Sequence, residues 1–269
     1  MTYIYRPGAY NVTDAGRAQI AQPGFSAAGN GLLNALIAYW PGNEASGDAL
    51  DLHTNGLTLT DTNTVTSNPG KVYALARQYT RINSEYHARL GDDAQLSAGD
   101  TELTIACWVQ LDYIPVGAVE YTAVSKYNTA LGQREYFIGY IAGSTNRFQA
   151  WYGNSTGGSS TQLIASSFGV PIAGIWYFCV TWHDPTADKI YIQINNGVVD
   201  SKSWSGGIVD GTYPFKLGAR GAGINNFNGR IGPVMFWKSA AGGGGVLTAA
   251  QRTALYNAGA GLPYASFTL

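Results

Sequence analysis

The sequence predicts an all-β protein, an antiparallel two-sheet sandwich with one short helix near its C-terminus. Three observations carry that prediction. From Ala38 onward, runs of four to eight β-branched and aromatic residues alternate with Gly, Asn, Asp and Ser clusters at fairly regular spacing. Charged residues make up only 12% of the 269-residue chain, and 35 Gly with 18 Tyr fill out a turn-rich composition. Helical periodicity with a proper start signal occurs once, at Thr248 to Tyr256. A sandwich of this length can form around a single core, so two units are expected: an extended arm over residues 1–30 and the sandwich over 31–269.

In chain order, residues 1–30 hold three breaks, Arg6-Pro7-Gly8, Gln22-Pro23-Gly24 and Gly29-Asn30-Gly31, with no apolar period between them. Leu32 to Ile37 reads as a short helical stretch. The clearest strands are Leu103 to Leu111, Tyr136 to Ile141, Arg147 to Tyr152, Trp176 to Trp182, Lys189 to Asn195, Phe215 to Gly218 and Gly229 to Trp237. His183-Asp184-Pro185-Thr186-Ala187-Asp188 is a turn whose Asp-Pro step reverses the chain, so the strands flanking it pair as a hairpin. Gly242 to Gly245 reads as a flexible loop, because it lacks the strand, lysine and helix that surround a phosphate-binding loop. Thr248 with Gln251 forms a capping-box pattern, and Gly259 marks the stop of a helix expected at one end of the sandwich.

Several functional classes lose support here. Sixteen basic and seventeen acidic residues without a run of either sign give no footprint for nucleic acid or anionic lipid. No stretch approaches ~18 apolar residues, and the opening MTYIYRPGAYNVTDAG has neither a basic nor an apolar signal region, so a soluble, unsignalled chain is expected. Cys107 and Cys179 each sit in an apolar β-like run, where a small buried thiol is expected. A disulfide between them requires facing positions on neighbouring strands, so the redox compartment stays open, with a lean toward a reducing cytosol.

Five segments, in order, resemble the laminin-G-like jelly-roll family of the concanavalin A-like lectin and glucanase superfamily, over about residues 37 to 264. IAYWPGNEASGDALDLHTNGLTLT looks like its opening strand and VYALARQYTRINSEYHARL like the next strand pair. ELTIACWVQL is similar to the central F-T-I-x-x-W-V strand, and GIWYFCVTWHDPTADKIYIQINNG to the W-x-x-V-x-V-T-x-D … L-Y-V-N-G hairpin. FNGRIGPVMFWKSA and LTAAQRTALYNAG are similar to the closing strand and helix. The family's G-x-I-D-E-V becomes Gly229-Arg230-Ile231-Gly232-Pro233-Val234 here, so the role of that acidic pair does not carry over. The resemblance implies a concanavalin A-like jelly roll.

Glucanases of this fold carry Glu-x-Asp-x-x-Glu on one strand, because alternate strand residues aim two carboxylates at one glycosidic bond. No such strand exists here. His53, His87 and His183 lack metalloprotease spacing, and no Gly-x-Ser-x-Gly elbow occurs, so a non-catalytic protein is expected. Relatives often bind calcium through loop oxygens, and Asp48, Asp51 and Asn55 cluster in one loop. Local capping of turns is the other role open to them.

Sugars stack on aromatic rings while amides, carboxylates and guanidinium groups take their hydroxyls. Trp108, Trp176, Phe178, Trp182 and Trp237 lie within the strongest strands and read as packing residues. Tyr127, Tyr136, Trp151, Tyr152 and Trp204 lie at strand ends or beside loops, and Asn128, Arg134 and Asn154 are their polar partners in a candidate glycan site. A lectin-like sandwich behind a Pro/Gly-broken arm also resembles bacteriophage virion surface proteins, capsid decorations and tail adhesins. That resemblance implies manufacture in the host cytoplasm, docking of residues 1–30 onto other virion or assembly subunits, oligomeric assembly, and display of the sandwich to a glycan or host surface. The alternative is a secreted, extracellular carbohydrate-binding module.

Overall fold

The seven apolar runs expected to form strands between residues 103 and 237 do so in the computed structural model, which describes residues 29–143 and 145–269. The expected arm, up to residue 28, lies outside the described residues. The strands are Leu36–Trp40 (β1), Thr60–Thr62 (β2), Thr66–Pro69 (β3), Leu75–Tyr79 (β4), Tyr86–Ala88 (β5), Glu102–Leu111 (β6), Glu120–Asn128 (β7) and Gln133–Ile141 (β8). Arg147–Gly153 (β9), Ser160–Ile164 (β10), Trp176–Asp184 (β11), Lys189–Ile194 (β12), Val199–Ser203 (β13), Lys216–Leu217 (β14) and Gly229–Ser239 (β15) follow, and then helix Ala249–Tyr256 (α1).

They form two antiparallel sheets. The first runs β13-β12-β11-β6-β15-β4-β3, with β1 also paired to β15, and the second runs β10-β9-β8-β7-β14-β5-β2. Between the sheets lies the main core, to which β6 contributes Leu103, Ile105, Cys107, Val109 and Leu111. The alternate residues Ala106 and Trp108 enter a second cluster on the outer face of the first sheet, with Phe178, Val180, Trp182 and Trp237. This explains why β6 is apolar throughout. Both of its faces are covered, the outer one by α1 and the C-terminal segment through Leu255, Leu262 and Phe267. The helix therefore covers a sheet face instead of sitting at one end, as its Arg252 guanidinium, 4.2 Å over Trp182, also shows.

The β11–β12 hairpin pairs as its turn requires, Trp182 opposite Tyr191 and Asp184 opposite Lys189. Cys107 and Cys179 lie directly opposite each other on β6 and β11 as free, buried thiols, and burial pushes the Cys179 thiol well above its ordinary pKa. The helix starts as read, with Thr248 and Gln251 exchanging both bonds of the capping box, but Asn257 takes the left-handed position that ends it, ahead of Gly259. Leu32 to Ile37 is not helical. The chain makes a turn that ends on Ala35 at φ 57° and enters β1 at Leu36, so the leucine spacing serves the outer apolar cluster, not a helix.

Candidate functional site

Strand β8 carries one more residue than β7 where their hairpin begins, since Tyr127 lies opposite Arg134 while Lys126 lies opposite Tyr136. Such a bulge re-aims side chains. Beyond it, Tyr136, Ile138 and Tyr140 point into the core, while Phe137 stacks on Trp151 on the outer face of the second sheet, centroids 5.8 Å apart at 18°. Arg134, before the bulge, reaches the same outer face beside Tyr127. Glu135, the extra residue, turns to a buried ion pair with Lys126 at 2.5 Å, and burial raises its pKa to about 7.

On this outer face the rings make a platform. Tyr127 meets Phe137 edge-on at 5.0 Å, and the Arg220 guanidinium lies 4.9 Å over Phe137 and 5.5 Å over Tyr127. Arg220 is fixed by a 2.8 Å ion pair with Glu120, whose same oxygen accepts from Asn225 Nδ2 at 3.1 Å. The other Glu120 oxygen accepts from Gln149 at 3.2 Å, and Gln149 in turn accepts from Trp151 Nε1 at 2.9 Å. Burial raises the Glu120 pKa, against the pull of Arg220 and Asn225. Tyr127 Oη meets Ser160 Oγ at 2.8 Å, and Arg134 donates to the carbonyls of Gly157, Gly158 and Thr129, tying the β9–β10 turn to the β7–β8 turn.

The platform floors a depression of about 470 Å³ bordered by Tyr127, Arg134, Trp151, Ser160 and Arg220. A neighbouring hollow of about 320 Å³ shares Tyr127 and Arg220 and adds Asn128, Gly221 and Ile224. Among the described residues, Glu120 is the one carboxylate that lines either hollow.

Four of the eight residues expected in a glycan site therefore converge: Tyr127, Asn128, Arg134 and Trp151. Tyr136 and Tyr152 do not. Strand alternation sends both inward, where Tyr136 Oη donates to Leu96 O at 2.5 Å and Tyr152 Oη meets Thr181 Oγ1 at 2.7 Å. Trp204 and Asn154 meet each other around Gly206, outside the depression. Trp204 donates to Gly207 O at 2.8 Å, and Asn154 accepts from Ser159 N at 3.2 Å to hold its own turn. Sequence reading missed Glu120, Phe137, Gln149 and Arg220. For Arg220, the lone arginine in the glycine-rich GARGAGINN was the available signal.

Asp48, Asp51 and Asn55, the residues of the calcium expectation, each engage backbone groups in the structure. Asp51 accepts three backbone N–H groups at 2.9 Å, from Tyr39, His53 and Leu57, and these donors point positive charge at both oxygens. Asp48 accepts from Asp61 N, and the Asn55 amide donates to Ile37 O. The three thus brace backbone segments through these bonds. Among the described residues no group of three or more His, Cys, Asp or Glu side chains gathers as a metal site.

Comparison with solved structures finds the same fold at low identity. Domain 4 of AbnA, a GH43 extracellular arabinanase from Geobacillus stearothermophilus, in complex with arabinotriose, is 16% identical with a TM-score of 0.56 over 81% of this chain and 98% of that domain. The binding domain of botulinum neurotoxin serotype G gives a TM-score of 0.60 at 13% identity, over 82% of this chain and 50% of that one. The binding domain of botulinum neurotoxin DC in complex with SialylT gives 0.56 at 12%, over 83% and 51%. The chain thus spans about half the length of these toxin binding domains. No curated protein sequence matches it. Residues 83–243 match the laminin-G family model described as concanavalin A-like lectin/glucanases superfamily. With more than half of its length inside that match, the chain belongs to the laminin-G-like branch of the concanavalin A-like lectin/glucanase superfamily.

Proposed function

We propose that the protein is a non-catalytic, lectin-like module that binds glycans on the outer face of its second sheet. The observation that carries this reading is the platform of Tyr127, Phe137, Trp151 and Arg220 beneath an open depression rimmed by Arg134 and Ser160. A pyranose or furanose presents one apolar face and several hydroxyls, and such a ring matches a half-buried indole flanked by fixed donors and acceptors. Two solved structures of this fold have saccharide ligands, arabinotriose in the arabinanase domain and SialylT in the botulinum neurotoxin DC domain, which supports the same ligand class here. Glycoside hydrolysis needs two carboxyl groups across one bond. Glu120 stands alone in the depression and is held by Arg220, Asn225 and Gln149.

The test is a glycan array followed by titration of the strongest hit. Trp151→Ala is expected to weaken binding at least tenfold, about 1.4 kcal/mol, with the thermal midpoint little changed. Undiminished binding by that variant would remove this face as the site. Within this reading the sandwich is the displayed part of a bacteriophage virion surface protein, with residues 1–30 as its docking segment to other assembly subunits; an extracellular carbohydrate-binding module is the alternative. Particles rebuilt with chain lacking residues 1–28 separate the two, because only the virion reading requires attachment to fail.

A further inference from the structure

We infer that the cleft on the other side of Glu120 is a second sugar subsite, so that the protein takes an extended oligosaccharide instead of a single terminal sugar. The inference rests on the glycan reading above and deepens it. The cleft, about 660 Å³, is bordered by Arg81, Ser84, Tyr113, Asn225, Asn226 and Asn228. Its composition is amphipathic in the way a sugar ring is. Tyr113 and Ile82 are 49% and 89% exposed and offer apolar surface, while the amides, the Ser84 hydroxyl and the Arg81 guanidinium offer hydrogen bonds.

Two further features mark the cleft as built for a ligand. Asn226 is 6% exposed, yet among the described residues its Nδ2 has no hydrogen-bond partner. Buried donors are almost always paired in native proteins, so the unpaired amide of Asn226, on the wall of the cleft, calls for a hydrogen bond from a ligand. The rest of the cleft is fixed. Arg81 lies 5.3 Å over the Tyr121 ring, its backbone N–H donates to Asn228 Oδ1 at 3.1 Å, and Tyr113 meets Tyr121 edge-on at 6.2 Å.

The two cavities are also joined. One Glu120 oxygen accepts from Arg220, which lines the first depression, at 2.8 Å, and from Asn225, which lines the cleft, at 3.1 Å. Loop residues 220–228 thus place one side chain in each cavity from a single carboxylate anchor. Neighbouring units of one saccharide chain can occupy both cavities at once, and linked subsites gain affinity through effective concentration.

The test uses the full chain on a glycan array that contains length series of each saccharide, from one to eight units. Wild-type binding is expected to rise at least tenfold between the shortest bound member of a series and members two or three units longer. Tyr113→Ala and Asn226→Ala should each abolish that gain while leaving the shortest bound member within about twofold, and Trp151→Ala should weaken every member. Tyr113 is exposed, so its variant keeps the test usable if Asn226→Ala fails to fold. Affinity independent of length, or a length gain that survives Tyr113→Ala, overturns the second subsite and leaves the first intact. Absence of wild-type binding to any saccharide overturns both.

Discussion

His87 shows what a single buried residue contributes. It sits on β5 with its Nδ1 2.9 Å from Tyr79 Oη and its Nε2 2.9 Å from Arg77, linking the two sheets through polar groups inside the core. Burial lowers its pKa to about 4, with the Arg77 charge acting in the same direction against a bond to the Gly47 carbonyl. A histidine depressed in the folded state stabilises the fold above its unfolded pKa of about 6.5, and that contribution is lost as pH falls through the folded value near 4. The difference corresponds to roughly 3 kcal/mol across that window. Urea midpoints measured between pH 7 and pH 4 should therefore fall more steeply for the wild type than for His87→Gln, which should be less stable at pH 7. Parallel slopes for the two proteins would show that His87 is not the titrating group.

At the scale of elements, the four-glycine segment is a binding loop for the chain's own carboxylate, where sequence reading expected a flexible linker. Glu102, at the start of β6, accepts N–H bonds from Gly242, Gly244, Gly245 and Val246 at 2.6 to 3.3 Å, and the Ser239 hydroxyl donates at 3.0 Å. Burial raises its pKa, but these bonds outweigh burial and hold the carboxyl below the usual range. Glycine is required here. Gly244 lies at φ +93°, and a Cβ on Gly245 would meet the Glu102 carbonyl at 2.7 Å. Glu102→Gln keeps the shape and removes the charge, so it should cost about 2 kcal/mol at pH 7 in urea unfolding. That loss should shrink as pH falls below the ordinary carboxylate range, first as the unfolded carboxyl protonates and fully once pH passes the lower folded value. A cost under about 0.5 kcal/mol would mean the loop holds its shape without the anion. The strands with two covered faces or clean alternation were legible, as β6, β11 and β15 show. Strand β7 was not, because Glu120, Ser125 and Lys126 interrupt its apolar pattern, and these polar residues, one half-buried and two buried, are held by partners off the strand, Arg220, Ala219 O and Glu135. The short polar strands β2, β3 and β13 lie at sheet edges, where no apolar pattern is imposed.

At the scale of the whole molecule, the candidate site was half legible for the same reason. Tyr127, Asn128, Arg134 and Trp151 lie within 25 positions of one another on consecutive strands, whereas Arg220 returns from a hundred residues beyond Glu120. Residues 30–33 are tied to distant segments in a comparable way. Leu33 N donates to Thr268 O at 3.0 Å, Asn30 Oδ1 accepts from Thr268 N at 2.9 Å, and Trp237 Nε1 donates to Leu32 O at 2.9 Å. Leu32 and Leu36 are buried in the outer cluster beside Trp237 and Phe267. Residues 30 to 36 are thus bound into the outer cluster and the C-terminal segment, and two truncations should behave differently. Removing residues 1–28 leaves every one of these contacts in place and, if those residues are a separate arm, should shift the thermal midpoint by no more than about 2 °C. Removing residues 1–36 deletes two buried leucines, at about 2–5 kcal/mol each, and leaves the Trp237 indole N–H without its acceptor. That variant should unfold at least ~10 °C lower or fail to fold. A drop after the shorter cut as large as after the longer one would show that residues before 29 belong to the folded body, and the proposal of a docking segment would fall with it.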